Sequence, residues 1–571
     1  MTLLNRVEES VEAPTQRARS WLGRVRDLVK SRLKRPECPA STLCVLTAGF
    51  IVLVDNRRMF GLLAERINLA SVQGLACFFA IFLGLAGMLG LELLLVGHKY
   101  VLKPVAITLL MLSAVLGHFT QAYGVVFDAR MIQNIAETIV DDNRQEALEL
   151  MSAPLALSVL LFGLLPSLAV LMTRIAWKNV RGELRQRSIY AGVMLAVFAL
   201  LVLPNYRYML FVARENVRLK YYATPTHALN SLRKYVTASW AGRGKPFVAI
   251  GEDAVQARNG RPRTVGILVV GETARADHFS LNGYARKTNP RLEQRPLLNY
   301  TRATSSGTST AYSVPCMFSF LTKKHFSTEK GARQSNVLDV LHRAGVKVVW
   351  IDNNSSDKGV CARLGYTNLR QGADRTSPFY NDGGYYDEFL VEGLEKHLDG
   401  TEADVLIVLH AMGSHGPAYH RRYPAAFEKF QPSCRKDAPQ ESSFEEVVNA
   451  YDNTILYTDY VLDRLIGFLD SLQGSCATFL LYASDHGESL GENGVYLHGL
   501  PDVLAPSAQT HIPMLLWLSD RYSAGHSLDC KLLKDRVDFP TSHDNIPHTL
   551  LGLFDVRTAV YRADLDLLRT K

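Results

Sequence analysis

Five long apolar runs, at Ser41–Val54, Leu69–Gly97, Pro104–Phe127, Ala153–Met172 and Ile189–Ala213, limit what this chain can fold into more than any other feature. A helix needs about 20 apolar residues to cross a bilayer, where its backbone polar groups must satisfy one another. The last four runs are long enough. The first is only 14 residues long before Asp55 interrupts it. Charge decides how it counts. Arg6, Arg17, Arg19, Arg24, Arg26, Lys30, Arg32, Lys34 and Arg35 form a basic N-terminal arm, and Arg174, Lys178, Arg181, Arg185 and Arg187 form a second basic stretch between runs four and five. Both belong in the cytoplasm. The loop between runs three and four instead sets Asp128, Glu137, Asp141, Asp142, Glu146 and Glu149 against Arg130 and Arg144. Five spans satisfy all three observations and four do not, so residues beyond about 215 are expected outside the cytoplasm.

No small-residue cleavage site follows the first run, so a cleaved signal peptide is not expected. The basic arm reads as a topology signal rather than a lipid-binding site, and the net charge of +8 gives no reason to expect nucleic acid. Residues 214–245 mix Arg214, Arg218, Lys220, Tyr221, Tyr222, Arg233, Lys234 and Tyr235, which suits a helix at the headgroup level or an ordinary linker. The organisation expected is a cytoplasmic arm at 1–40, a transmembrane domain at 41–213, an interfacial linker at 214–260 and a globular domain at 261–571.

Beyond Arg263, apolar strand-like runs at Thr264–Val270, Val346–Ile351, Val405–Leu409 and Thr478–Ala483 alternate with helical patterns. The clearest helix is Phe444–Leu472, with apolar residues at Val448, Ile455, Leu462, Leu465, Ile466 and Leu469. This alternation predicts an α/β domain, its largely parallel sheet covered on both faces. Gly383-Gly384 and residues 433–443 read as surface loops. Cys316, Cys361, Cys434, Cys476 and Cys530 fall outside the membrane, while Cys38, Cys44 and Cys77 lie in or near it. Five thiols in an oxidising compartment permit two disulfides and one free thiol.

Each strand-like run ends in a polar cluster: Gly271-Glu272-Thr273, Asp352-Asn353-Asn354, His410 through His415, and Asp485-His486. Parallel strands share one edge at these ends, where open α/β sheets bind ligands. Glu272 alone reads equally as a helix cap, and an Asp-His pair is common in loops. Together the clusters offer the carboxylate and imidazole donors that suit zinc. The turn Gly307-Thr308-Ser309-Thr310-Ala311 can bring backbone N–H groups and a hydroxyl nucleophile to a phosphate. Spacing alone does not choose among Thr304, Ser305, Ser306, Thr308, Ser309 and Thr310.

Longer motifs go further. Val270-Gly271-Glu272-Thr273-Ala274-Arg275-Ala276-Asp277-His278, Ser280-Leu281-Asn282-Gly283-Tyr284, Gly307-Thr308-Ser309-Thr310-Ala311-Tyr312-Ser313-Val314-Pro315-Cys316-Met317-Phe318-Ser319, His410-Ala411-Met412-Gly413-Ser414-His415-Gly416-Pro417-Ala418-Tyr419, and the run from Ser484-Asp485-His486-Gly487-Glu488 to Leu497-His498-Gly499 resemble the phosphoethanolamine transferases that modify lipid A. The mobile colistin-resistance enzymes belong to that family. The resemblance, from about residue 40 to 556, implies five membrane helices and a periplasmic domain of alkaline phosphatase/sulfatase type. It implies Thr310 as nucleophile and Glu272, Asp485, His486 and the Thr310 oxygen as zinc ligands. Thr308, Asn354, Lys358, His415 and His498 would meet the substrate or a second metal, with His410 and His543-Asp544 as further candidates.

The implied reaction moves phosphoethanolamine from phosphatidylethanolamine to a lipid A phosphate through an ester on Thr310. This lowers surface negative charge and with it polymyxin binding. The implied setting is the inner membrane, as a monomer with its catalytic domain in the periplasm. Rival readings are transfer to a lipopolysaccharide core sugar or periplasmic glucan, a sulfatase-like phosphodiesterase using water, and an inactive receptor. Thr310 argues against a sulfatase, whose nucleophile is a modified Cys or Ser, and the intact Glu272, Thr310, Asp485 and His486 argue against a receptor. Two departures stand out. The family often carries a Cys, paired with the Cys316 position, where this chain has Ser306, and a Cys shortly after the Cys434 position, where this chain has none before Cys476. The N-terminal arm is also longer than the resemblance implies.

Overall fold

The computed structural model describes residues 36–140, 150–242, 244–257, 260–371, 373–381 and 384–569. The basic arm before residue 36, the acidic residues within 141–149, Gly383 and the C-terminal residue lie outside the described residues. Contacts divide the chain into two compact units, Met1–Val115 with Leu157–Glu215, and Leu116–Ala156 with Asn216–Lys571.

In the first unit the apolar runs are helices. Val72–Val96, Leu102–Tyr123, Ala153–Met172 and Val180–Glu215 are each long and apolar enough to cross a membrane, and Ala40–Asp55 and Arg57–Ala64 form a pair bent by 62°. The bend falls at Asp55, the residue that cuts the first apolar run short. Large apolar side chains such as Leu95, Leu171, Leu195 and Leu200 are exposed on these helices, as lipid rather than water requires. Small residues allow close packing: a Cβ at Gly87 would come 2.6 Å from Met194 Cε, and one at Gly90 2.5 Å from Tyr190 Oη. Arg187 donates to the Leu94 and Gly97 carbonyls at 2.6 and 2.7 Å, capping the C-terminal end of Val72–Val96. Glu37 and Cys38 pair in parallel with Arg174 and Ile175. The chain is a multi-pass membrane protein.

The second unit holds a seven-stranded sheet, named here in chain order: β1 Thr264–Gly271, β2 Leu297–Asn299, β3 Lys347–Asp352, β4 Thr367–Asn368, β5 Val405–His410, β6 Ala477–Ser484 and β7 Met514–Leu518. Its spatial order is β2-β7-β6-β1-β5-β3-β4. The five strands from β6 to β4 are parallel, and β7 runs antiparallel to both β6 and β2. Alternate residues of β1 enter different cores. Val265, Ile267 and Val269 pack with Val447, Tyr451, Ile455, Leu462 and Leu465 of helix Phe444–Ser471, while Leu268 and Val270 pack with Val314, Phe318, Leu338 and Leu550. Covering both faces explains why these strands read as unbroken apolar runs rather than alternating ones. The long helix starts where Ser443 and Glu446 exchange capping hydrogen bonds, as the sequence pattern requires.

Two readings need correction. All eight cysteines are free thiols, so neither of the two disulfides that the count permits is formed. Ser306 stands beside Cys316, whose thiol burial pushes up to about 12. Gly384 is buried in a two-residue strand rather than lying in a surface loop, whereas residues 433–443 form a loop in which Cys434 is buried and its N–H donates to the Glu446 carbonyl. A thiol titration of the denatured, unreduced chain should therefore count all eight cysteines, and a lower count would contradict the structure.

Candidate functional site

Sheet register assembles the site. Gly271 lies opposite Ser484, Val270 opposite His410, and His410 opposite Asp352, so the residues following β1, β3, β5 and β6 leave the sheet at one edge. Glu272, Asp485 and His486 are fully buried there and offer one donor atom each within 4.8 Å of one another. His486 Nε2 lies 3.5 Å from Glu272 Oε1 and 3.3 Å from Asp485 Oδ2. Thr310 Oγ1 lies 3.3 Å from the same nitrogen and donates to Glu272 Oε2 at 3.0 Å. Four donors with metal bonds of about 2.0–2.1 Å make a tetrahedron with edges of about 3.3–3.4 Å. Glu272 Oε1 and Asp485 Oδ2 are buried with no hydrogen-bond partner, a costly state for two carboxylate oxygens unless a cation lies between them. These residues fit a metal ion.

The electrostatics agree. Burial, reinforced by Asp485, pushes the Glu272 carboxyl well above its ordinary range. Burial lifts Asp485 to about 6 against the pull of His410 and two backbone N–H groups, and it drives His486 well below the usual imidazole range. A cation would hold both acids ionised and keep the imidazole a neutral ligand.

The surrounding backbone fixes this geometry. Thr273 has φ +53°, a strained value for a β-branched residue, and is held by its N–H to Asp485 Oδ1 at 3.2 Å and by Tyr451 Oη donating to its carbonyl at 2.7 Å. Gly413 passes so close that a Cβ there would sit 2.6 Å from the Glu272 carbonyl oxygen. Thr310 opens the helix Thr310–Met317, and the Ser305–Ser309 turn before it is tied by Gly307 N–H to Ser313 Oγ at 2.9 Å. A helix N-terminus with a hydroxyl beside it suits a phosphoryl group.

Comparison with known proteins gives this geometry a family. The sulfatase family description matches residues 264–556, and that of phosphoethanolamine transferases EptA/EptB matches residues 85–240. Phosphoethanolamine transferase EptA of Escherichia coli K12 is 36% identical over 557 residues, covering 95% of this chain and 99% of the relative. Phosphatidylethanolamine transferase Mcr-1 of Escherichia coli is 37% identical, covering 90% and 94%. The integral membrane lipooligosaccharide phosphoethanolamine transferase A of Neisseria meningitidis matches in structure with a TM-score of 0.88 at 30% identity, covering 93% of this chain and 99% of its own. This chain belongs to the phosphoethanolamine transferase family.

The transferase's other candidate residues stand in different relations to the donor cluster. His415 and His498 gather beside the donor cluster: the His498 ring lies 4.4 Å from that of His486 and 5.5 Å from that of His415. Burial, with His498 and Arg422 adding to it, keeps His415 well below the usual range and so neutral. Asn354 and Thr308 are turned to support: Asn354 Nδ2 donates to Glu272 Oε2 at 2.9 Å, and Thr308 Oγ1 donates to the Leu500 carbonyl at 2.7 Å. Lys358 lines a cavity of about 130 Å³ that Ala311, Pro315, Gln133 and Glu137 also line. His410 stands behind the site, its Nδ1 2.8 Å from Asp352 Oδ2 and its buried Nε2 without a partner. His543 bonds to two backbones, and Asp544 accepts the Lys323 N–H at 2.8 Å.

Two residues of the site carried no earlier assignment. Glu488, fully buried, accepts from Tyr419 Oη at 2.8 Å through Oε1 and holds His498 Nδ1 at 2.8 Å through Oε2. A carboxylate can only accept here, so His498 Nδ1 carries the proton of that bond and its Nε2 is left for the other side of the ring. The signal was present in the Asp485-to-Glu488 motif. Arg130, in a loop read only for its charge, lies 4.0 Å from the Tyr312 ring centroid and pairs with Asp502 at 2.9 Å, so helix Ala129–Val140 packs beside helix Thr310–Met317.

Proposed function

We propose that the transferase moves phosphoethanolamine from phosphatidylethanolamine to a lipid A phosphate through a phosphoethanolamine ester on Thr310, at a zinc site made by Glu272, Asp485, His486 and the Thr310 oxygen. The observation that carries this reading is Thr310 Oγ1 lying within 3.3 Å of both Glu272 and His486 in a buried cluster with two unpartnered carboxylate oxygens. When bound, zinc supplies a Lewis acid that lowers the proton affinity of a hydroxyl and offsets charge on phosphoryl oxygens.

The chain's own residues do the rest. Thr310 Oγ1 forms the bond to phosphorus as the bond to the diacylglycerol oxygen breaks, and the hydroxyl proton passes by way of Glu272 Oε2, already accepting from that hydroxyl, to the departing diacylglycerol oxygen. Asn354 fixes Glu272 Oε2 for this task. Neutral His415, with His498 and the Lys358 side chain, supplies contacts for the phosphate group. Burial of the cluster excludes water, which favours transfer over hydrolysis. The acceptor phosphate oxygen then displaces Thr310, giving ping-pong kinetics, and the added ethanolamine offsets surface negative charge that cationic peptides use. Mass spectrometry of lipid A from cells with and without the chain tests this: a phosphoethanolamine mass increment should appear only with it. An increment confined to core sugar or glucan would redirect the acceptor.

A periplasmic site is the reading that a count of five spans supports. Glu37-Cys38 pairs with Arg174-Ile175, so the chain returns to one side after the helices between them. That requires an even number of crossings, which is met if the bent pair Ala40–Asp55 and Arg57–Ala64 counts as one span beside Val72–Val96, Leu102–Tyr123 and Ala153–Met172. The last span then leads outward from the basic stretch Arg174–Arg187. An alkaline phosphatase fusion at the C-terminus should be active, and one at Asn179 silent. The reverse pattern would overturn the topology.

A further inference from the structure

We infer that His543 is a positioning residue that sets the nucleophile turn against the metal-ligand strand; the inference rests on Thr310 as nucleophile. His543 is fully buried, in the short turn that ends at Asn545, and none of its atoms joins the donor cluster. Its Nδ1 lies 3.0 Å from the Ser306 backbone nitrogen, and its Nε2 lies 2.9 Å from the Ser484 carbonyl oxygen. Ser306 is four residues before Thr310, and Ser484 directly precedes Asp485. One imidazole thus spans the two segments whose separation fixes how Thr310 Oγ1 meets the ligands.

The partners dictate the ring's protonation. A backbone N–H can only donate, so Nδ1 must accept, and a carbonyl can only accept, so Nε2 must carry the proton. Only the neutral Nε2–H tautomer makes both bonds, and burial supports it by lowering the proton affinity of the ring to about 4. The turn has no covalent staple, since Cys316 is a free thiol beside Ser306. Its other ties run to different neighbours: Ser305 N–H to the Thr510 carbonyl at 2.9 Å, Gly307 N–H to Ser313 Oγ, and Gly499 N–H to the Thr308 carbonyl at 2.7 Å. His543 is the side chain that ties it to β6. Misplacing reacting atoms by about 1 Å can cost on the order of 100-fold in rate.

The test uses the full chain in detergent with His543→Leu, which keeps bulk and loses both bonds, and His543→Gln, which can accept and donate at once. The Leu variant should form the Thr310 adduct from fluorescent phosphatidylethanolamine at least roughly 30-fold more slowly, with zinc content and donor KM unchanged, and Gln should recover most of that loss. Zinc lost in step with activity, a change confined to KM, Leu activity within threefold of wild type, or a Leu chain that does not fold would each overturn the inference. A wild-type chain that turns over without an adduct would sink the Thr310 reading instead, and the Leu-to-Gln comparison of turnover would still judge His543.

Discussion

Replacing Thr310 by Ala is expected to abolish transfer, lowering turnover by roughly four orders of magnitude or more, the scale on which enzymes lose activity with their covalent nucleophile. The argument is local. Thr310 Oγ1 makes two contacts, to Glu272 Oε2 and His486 Nε2, two of the three residues of the donor cluster. Ser305 Oγ donates to the Gly307 carbonyl, Thr308 Oγ1 to the Leu500 carbonyl, and Ser313 Oγ accepts from Gly307, so these three hydroxyls are committed elsewhere. The fold should survive, because Ala is a good first residue for a helix and Asn354 still holds Glu272. Intact-mass analysis after exposure to phosphatidylethanolamine should show a phosphoethanolamine increment on the wild-type chain and none on the variant. Thr310→Ser, which keeps the oxygen, should retain measurable turnover. Lipid modification by the Ala variant at the wild-type level would remove Thr310 from the mechanism.

Much of this site could be read from sequence for a physical reason. A parallel strand buried on both faces has to be apolar throughout, so Thr264–Gly271, Val405–His410 and Ala477–Ser484 mark themselves, and the polar residue after each marks the shared edge. Spacing could not choose within the turn because six hydroxyls crowd it; the resemblance points to Thr310, and it is Thr310 Oγ1 that lies beside Glu272 and His486. What stayed hidden depends on pairing at long range. Nothing near Glu488 in sequence announces Tyr419, 69 residues away, and nothing near His543 announces Ser306, 237 residues away. The disulfide expectation failed for another reason: counting thiols outside the membrane says nothing of distance, and Cys316 meets Ser306 rather than a second sulfur. The first apolar run is short because its helix ends at Asp55, after which the chain bends by 62° into the separate helix Arg57–Ala64, whose paired arginines interrupt the apolar pattern.

Zinc content should divide the site residues into two classes with different losses. Glu272→Ala, Asp485→Ala and His486→Ala each remove one of four donors, and a three-donor remnant in a buried pocket should release the ion along with all turnover. The two acids matter most. Their unpartnered oxygens, Glu272 Oε1 and Asp485 Oδ2, lie 3.5 and 3.3 Å from His486 Nε2, and losing either removes negative charge that only a cation there can balance. His415→Ala, His498→Ala and Lys358→Ala should behave otherwise. His498 is held by Glu488 outside the triad, His415 lies beyond it, and Lys358 lines the cavity next to Ala311, so each variant should keep roughly one zinc per protein while losing turnover or donor affinity. Elemental analysis beside the cleavage rate of a fluorescent phosphatidylethanolamine separates the classes. An Asp485→Ala chain that stays full of zinc while His415→Ala and His498→Ala chains are empty would move the metal to the histidine side of the cluster and overturn this assignment.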